Sequence, residues 1–360
     1  MRVPAALLEQ NGQPFTLTEV DLEDPRPDEV LVEIKAVGVC GTDLEFANFF
    51  PTPALFGHEG AGVVQAVGSR VTGIAPGDHV ALSFNSCGTC SICLGGTPSY
   101  CRSFDAVNFT GRRPDGSTAV THDGAEVNAH FLGQSSFASH AVVPARAVTV
   151  IDSSIDLQIA APFGCGIQTG AGGVLNVLRP RPGQSIAVFG AGAVGVAAII
   201  AAAISSCGVI AAVDVNPAKL EAARGFGATH TIDSAATDAA EQLRELVPTG
   251  FDFVIDTPGR ESVLRTAVEA LGPLGHAGVI GIGPSENMSF EWRSVLNGRS
   301  ITGIISGGAL PQVFLPQLLR WQQEGRFPVE KMMSFFPFEK INDAAAAVRA
   351  GEVGKAVLTF

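Results

Sequence analysis

The sequence predicts an α/β protein in which a doubly wound parallel sheet follows a β-rich, irregular domain. Three observations carry this. At 360 residues the chain is long for one hydrophobic core. Its first half is a series of short strand patterns rich in Gly and Val. After Pro180, strand and helix patterns alternate in the manner of βαβ units.

In the first half, EVLVEIKAV (29–37) alternates apolar and polar residues and reads as a strand. GAGVVQAVGS (60–69) and PGDHVALSF (76–84) continue the series, and FASHAVVPARAVTVI (137–151) returns to it. The polar, Gly-containing stretch 102–124 is expected to form surface excursions. In the second half come strand SIAVFG, a helix from about Val194, strand VIAAVDV and helix PAKLEAARGFG. FDFVIDT, a helix through SVLRTAVEAL, and HAGVIGIG follow. From Glu291 the alternation is lost, and the chain closes on strand-like KAVLTF. The expected domains are 1–151 with 292–360, and 152–291.

Composition excludes several classes of function. Hydrophobic residues make up 46% and charged residues 16%, as in a well-buried enzyme and unlike a disordered chain. The formal charge, 23 − 35 = −12, gives no attraction to nucleic acid or an anionic membrane. MRVPAALLEQNGQ turns polar too soon for a signal peptide. Val194–Val213 is long enough to span a bilayer, but it is Ala-rich and interrupted by Ser205, Ser206 and Gly208. A buried helix followed by a buried strand has the same hydropathy. A cytoplasmic location is expected, where cysteines are metal ligands more often than disulfides.

Four of the seven cysteines lie within 85–101, as Cys87, Cys90, Cys93 and Cys101 in the spacing C-x2-C-x2-C-x7-C. Four thiolates complete a tetrahedral Zn2+ site and leave no open position, so this lobe is expected to hold a structural zinc. The common iron–sulfur spacings differ from this one. Of the remaining cysteines, Cys40 and Cys165 stand beside glycines in loops, as does His58, whereas Cys207 ends an Ala-rich helix and reads as packing.

SIAVFGAGAVGVAA holds G-x-G-x-x-G at Gly190, Gly192 and Gly195, between a strand and a helix. Gly190 allows the tight turn, Gly192 lets backbone approach a pyrophosphate at the helix N-terminus, and Gly195 allows close packing. The second strand ends in Asp214, twenty-four residues after Gly190, where a carboxylate binds the ribose hydroxyls and repels a 2′-phosphate. A Rossmann domain binding NAD is therefore expected.

GVCGTDL, GHEGAG, VGSRVTGIAPGDHV, the four-cysteine lobe and CGIQTGAG occur here in the order seen in zinc-dependent alcohol dehydrogenases of the medium-chain dehydrogenase/reductase superfamily. The chain resembles that family over nearly its whole length. The resemblance implies a GroES-like catalytic domain beside the Rossmann domain, and one catalytic and one structural zinc per chain. It implies that Cys40, His58 and Cys165 bind the catalytic zinc. Glu59 is implied as an alternative inner ligand or a carboxylate behind the metal, Asp43 as the partner of His58, and Thr42 as the hydroxyl that takes the alcohol proton. Lys219 resembles a residue near the ribose; Thr169 and Val194 match positions near the nicotinamide. Gly41 stands where many members carry a basic residue, and Glu45 where some carry a histidine, which leaves the outer end of the proton path to Glu45 or solvent. A homotetramer or dimer is implied, joined through the nucleotide domain.

SFNSCG, NFTGRRPDGS, FLGQSSFASHAV and PFGCGIQTGAG look most like aryl-alcohol and geraniol dehydrogenases. That implies reversible oxidation of primary aromatic or allylic alcohols to aldehydes with NAD+. The chain has 22 Phe and one Tyr, and Phe46, Phe49, Phe50, Phe56 and Phe84 are candidates for an apolar pocket wall. The rival readings are a polyol or threonine dehydrogenase, a thiol-dependent formaldehyde dehydrogenase, and a non-catalytic zinc-ribbon interaction protein.

Overall fold

The computed structural model describes residues 1–283, 287–290 and 292–360. The chain forms two compact units, Met1–Cys165 with Leu310–Gly325 and Glu330–Phe360, and Gly166–Ala309 with Arg326–Val329. Residues 152–165 thus pack with the first unit and 292–309 with the second; Glu291, where the tail was expected to begin, lies outside the described residues.

The first unit is built around the long strand Glu29–Val39. Its apolar residues meet the core on one face, as the alternation predicts, and it runs two residues beyond the expected end, which delivers Cys40 at its tip. One edge pairs antiparallel with Gly60–Val67. On the other edge the first half pairs with His140–Pro144 and the second with the C-terminal strand Lys355–Thr359. KAVLTF therefore completes a sheet begun more than three hundred residues earlier. A second sheet holds Arg2–Leu8 and Thr16–Leu22 as an antiparallel pair. RVPAALL has no period-2 signal, because its residues from Ala5 on are all buried.

The segment 102–124 is a surface excursion only in part: Pro114–Gly116, Asp123 and Gly124 are exposed, but Phe104, Asn108, Arg113 and Thr118–Val120 are buried. Phe104–Asn108 is helical and Val120–His122 pairs with Thr16–Leu22. Asn108 is fully buried, donating to Asn85 O and Phe104 O and accepting from Asn85 N–H. Arg113 is buried as well, its guanidinium forked onto Glu29 at 2.7 and 2.8 Å and bonded to Glu23 at 2.7 Å. The polarity of Asn108 and Arg113 is thus paired internally, as buried polar groups require.

The second unit is one parallel sheet of six strands, in the order His230–Asp233, Val209–Asp214, Ser185–Phe189, Phe251–Asp256, Leu271–Val279, Ser300–Gly303. Numbered by sequence this is 3-2-1-4-5-6, the doubly wound order whose switch point lies at the carboxyl end of the first strand. The tail contributes the sixth strand; four residues, three of them exposed, are too few to show alternation. The apolar run Val194–Val213 resolves into the helix Ala193–Ile204 and the strand Val209–Asp214. Among the described residues no helix is long and apolar enough to cross a membrane.

Candidate functional site

Cys40 ends the long strand and caps the six-residue helix Gly41–Phe46. Asp43, on the first turn, is fully buried and reaches back: its Oδ2 accepts the Cys40 N–H at 3.1 Å. Its Oδ1 accepts the Gly57 N–H at 3.1 Å and lies 2.7 Å from His58 Nδ1. The imidazole therefore holds its proton on Nδ1 and turns the lone pair of Nε2 inward. Nε2 is buried with no oxygen or nitrogen partner. One ligand atom from each of Cys40, His58, Glu59 and Cys165 falls within 4.8 Å of the others. Cys165 stands in the break between the turn Ala161–Gly164 and the helix Gly166–Gly172.

The electrostatics of this cluster call for a cation. The Cys165 thiol bonded to it, helped by Lys355 and His58, holds Cys40 well below the usual thiol range against the effect of burial. The same contact, with burial, pushes Cys165 well above it. Two sulfurs this close ionise together only with a positive charge between them. Two thiols, an imidazole lone pair and a carboxylate form a donor set that Zn2+ fits.

Glu59 is buried and forms an ion pair with Lys355, whose Nζ also donates to Val39 O at 3.3 Å. Gly38 is required here, since a Cβ would overlap the Glu59 carboxylate. Burial pushes Glu59 up to about 7 although Lys355 pulls it down. Burial opposes the charge on Lys355, but Glu59 and Cys40 outweigh it and hold the ammonium ionised. Sequence reading missed Lys355, because a single Lys in KAVLTF carries no local signal; only the pairing of the last strand beside Val39 brings it there. Thr42 is half-buried, its Oγ1 3.7 Å from Cys40 Sγ, and Glu45 is exposed on the same helix.

A phenylalanine cluster reaches the histidine through one ring. Phe131 is fully buried, edge-on to the His58 ring at 5.6 Å, and touches Phe46, Phe50, Phe56 and Phe109 with centroids 4.8–5.9 Å apart. Phe46 and Phe109 are half-buried and stacked at 5.0 Å. Of the expected wall residues, Phe50, Phe56 and Phe84 are buried, and Phe49 is 62% exposed against Phe46. Phe109 and Phe131 were not singled out from the sequence, although FLGQSS and NFTGRR contain them.

The second cluster brings Cys87, Cys90, Cys93 and Cys101 within 4.8 Å of one another. Backbone amides serve its sulfurs: Cys87 N–H donates to Cys101 Sγ at 3.3 Å, Cys90 N–H to Cys87 Sγ at 3.4 Å, and Ser103 N–H to Cys101 Sγ at 3.4 Å. Amides of Thr89 and Cys90 lower Cys87 to about 6, while burial pushes Cys93 up to about 12. Again the sulfurs ionise jointly only around a cation. Gly88 has φ +70°, and a Cβ there would overlap the Arg146 guanidinium.

In the second unit the fingerprint has the shape expected of it. Gly190 has φ +85°, a Gly195 Cβ would overlap Gly190 O, and the space over Gly192 is open. Asp214 Oδ2 accepts the Ala191 N–H at 2.6 Å and its Oδ1 the Asn216 N–H at 2.9 Å. Asn216, not Asp214, caps the helix Pro217–Gly225, which leaves Asp214 beside the fingerprint turn. Lys219 lies in the first turn of that helix, Val194 in the first turn of Ala193–Ile204, and Thr169 on Gly166–Gly172.

Residues 26–153 match the alcohol dehydrogenase GroES-like domain, and residues 193–324 the zinc-binding dehydrogenase domain. A geraniol dehydrogenase of Castellaniella defragrans is 38% identical over 363 residues, covering 99% of this chain and 97% of that protein. A solved alcohol dehydrogenase zinc-binding domain protein from Burkholderia ambifaria is 42% identical, with TM-score 0.98 and coverage of 100% and 99%. A benzyl alcohol dehydrogenase structure from Acinetobacter calcoaceticus is 36% identical, with TM-score 0.97 and the same coverage.

Proposed function

From the premise that the chain belongs to the zinc-dependent alcohol dehydrogenases of the medium-chain dehydrogenase/reductase superfamily, we propose that it oxidises primary aromatic or allylic alcohols to aldehydes, reversibly, with NAD+ as hydride acceptor. Cys40, His58 and Cys165 are the ligands of the catalytic zinc, and Cys87, Cys90, Cys93 and Cys101 hold the structural one. The observation that carries the reading is the meeting of the first three, with Phe131 of a phenylalanine cluster packed on the His58 imidazole.

Cys40, His58 and Cys165 would hold a zinc ion that would supply Lewis acidity toward the hydroxyl oxygen of the alcohol. Asp43 holds the proton on Nδ1 and aims the imidazole. Thr42 Oγ receives the alcohol proton and passes it toward Glu45 or solvent. Lys355 gives the Glu59 carboxylate a partner of its own, which favours a place behind the metal over one on it. The rings favour a flat apolar substituent, whereas a polyol would lose hydrogen bonds on entering. Asp214 favours NAD over NADP by repelling a 2′-phosphate. The names of the geraniol and benzyl alcohol dehydrogenase relatives support the same substrate class. A homo-oligomer is part of the proposal, supported by exposed apolar side chains, Leu274, Leu296 and Ile301, on and near the edge strand Ser300–Gly303.

The test is a panel of alcohols with NAD+ and NADP+ on metal-quantified enzyme. Turnover of benzyl alcohol and geraniol with NAD+ is expected. Turnover of sorbitol or threonine alone, or a strict thiol requirement, contradicts the substrate class.

A further inference from the structure

We propose that Gln134 is a positioning residue for the metal centre, a clamp that joins the His58–Glu59 segment to the Cys165 segment. The inference rests on the reading of Cys40, His58 and Cys165 as ligands. Gln134 is 2% exposed. Its Nε2 donates to His58 O at 2.8 Å and to Ser83 O at 3.2 Å. Its Oε1 accepts the Gly60 N–H at 3.1 Å and the Ser136 hydroxyl at 2.9 Å. Two donors and two acceptors are the full complement of a carboxamide. The two carbonyls on one side and the amide on the other fix which end is nitrogen.

The backbone on both sides of Glu59, the His58 carbonyl and the Gly60 amide, is thus held by one side chain. Ser83 extends the grip: its hydroxyl donates to Gly164 O at 2.7 Å, one residue before Cys165. Gln134 stands between the two ligand-bearing segments, bonded directly to one and through Ser83 to the other.

The chain accepts unusual backbone to put it there. His130, Leu132 and Ser135 have φ of +62°, +49° and +55°, in the left-handed region that non-glycine residues seldom enter. Such conformations persist where surrounding bonds over-determine them. The Ser135 hydroxyl donates to Leu55 O at 2.6 Å and accepts the Phe131 N–H at 2.9 Å. The same turn lays Phe131 against the His58 ring. Asp43 fixes the tautomer of His58; Gln134 fixes the point from which the ring departs.

Neither glutamate nor leucine reproduces these bonds. Glutamate keeps the shape but sets a carboxylate oxygen against two carbonyls, and leucine leaves two carbonyls and an N–H unsatisfied in the interior. Partners behind a metal ligand are worth roughly 10–100-fold in metal affinity or activity.

The experiment loads wild type, Gln134→Glu, Gln134→Leu and Ser83→Ala with zinc and follows release of both ions to a chromophoric chelator. Cobalt substitution reports the geometry of the catalytic site through its visible absorption. In the Gln134 variants the catalytic ion leaves roughly 10–100-fold faster, the cobalt bands shift, and the lobe ion leaves at the wild-type rate. Ser83→Ala, which breaks only the link to Gly164, shows a smaller acceleration in the same direction and serves if both Gln134 variants fail to fold. Unchanged catalytic release with unshifted cobalt bands overturns the proposal. Equal acceleration at both sites also overturns it, since that reports general loosening. Wild type taking up only one ion instead refutes the ligand reading beneath it.

Discussion

The two metal clusters each gather four donors and are built in opposite ways. In each, four donor atoms lie within 4.8 Å. The lobe draws all four from fifteen consecutive residues, and its sulfurs are served by neighbouring backbone amides. The other cluster draws on segments around residues 40, 58 and 165, and its donors are held by side chains from elsewhere: Asp43, Lys355 and Gln134. A site whose ligands are all thiolates from one loop can only tie that loop down. A site of mixed donors held by a buried polar frame can keep one position for chemistry while the frame fixes the rest.

The sharpest way to break the comparison is to remove one ligand from each. Cys165→Ala is expected to halve the metal content and lower kcat/KM by at least about a thousandfold, since Lewis-acid stabilisation is worth several kcal/mol. Near-normal kcat/KM in this variant would remove Cys165 from the site. Cys93→Ala is expected to halve the metal content too, but with a different consequence. Its thermal midpoint falls, because metal binding to such a loop is folding free energy. The molecules that remain folded turn over within a few-fold of wild type; a loss as deep as that of Cys165→Ala would give the lobe a catalytic part.

Lys355→Met tests the frame. Breaking a buried ion pair by removing one partner costs about 3–5 kcal/mol, read as a drop in the urea midpoint. Lys355→Met with Glu59→Gln is expected to recover most of it. Failure to recover means Lys355 acts through something other than Glu59.

Acid separates metal loss from fold loss. Burial, with the charge of Arg113, lowers His130 to about 3, and its Nε2 accepts the Ala119 N–H at 3.1 Å. The folded state therefore refuses a proton that the unfolded state takes up below its ordinary pKa of about 6.5. Stability falls as pH drops from about 6.5 toward 3, in metal-free protein as well as loaded. His130→Asn, which tolerates the left-handed backbone, flattens this limb; an unchanged slope would assign acid loss to other groups. The smallest effect is expected at Cys207, half-buried and pushed up to about 11 by burial. Cys207→Ala should leave metal content and turnover unchanged, and a lost ion would redraw either cluster.

The same contrast explains what could be read from the sequence. The lobe was legible because its spacing is local, and the parallel sheet because each βα unit announces itself within about thirty residues. The fingerprint glycines have the geometry that their spacing implies. Lys355 and Gln134 were not legible: each acts on partners far away in sequence, and nothing in KAVLTF or FLGQSS marks them. Arg113 misled for a related reason, since a polar stretch looks like surface until Glu29 and Glu23 are found beneath it. Short strands such as Ser300–Gly303 lie below the length at which alternation can be seen.

The most direct test is anomalous diffraction at the zinc edge from crystals of the metal-loaded protein. Two peaks per chain are expected, one among Cys87, Cys90, Cys93 and Cys101, and one bonded to Cys40, His58 and Cys165. A single peak in the lobe, or a second ion held by other residues, would contradict the account.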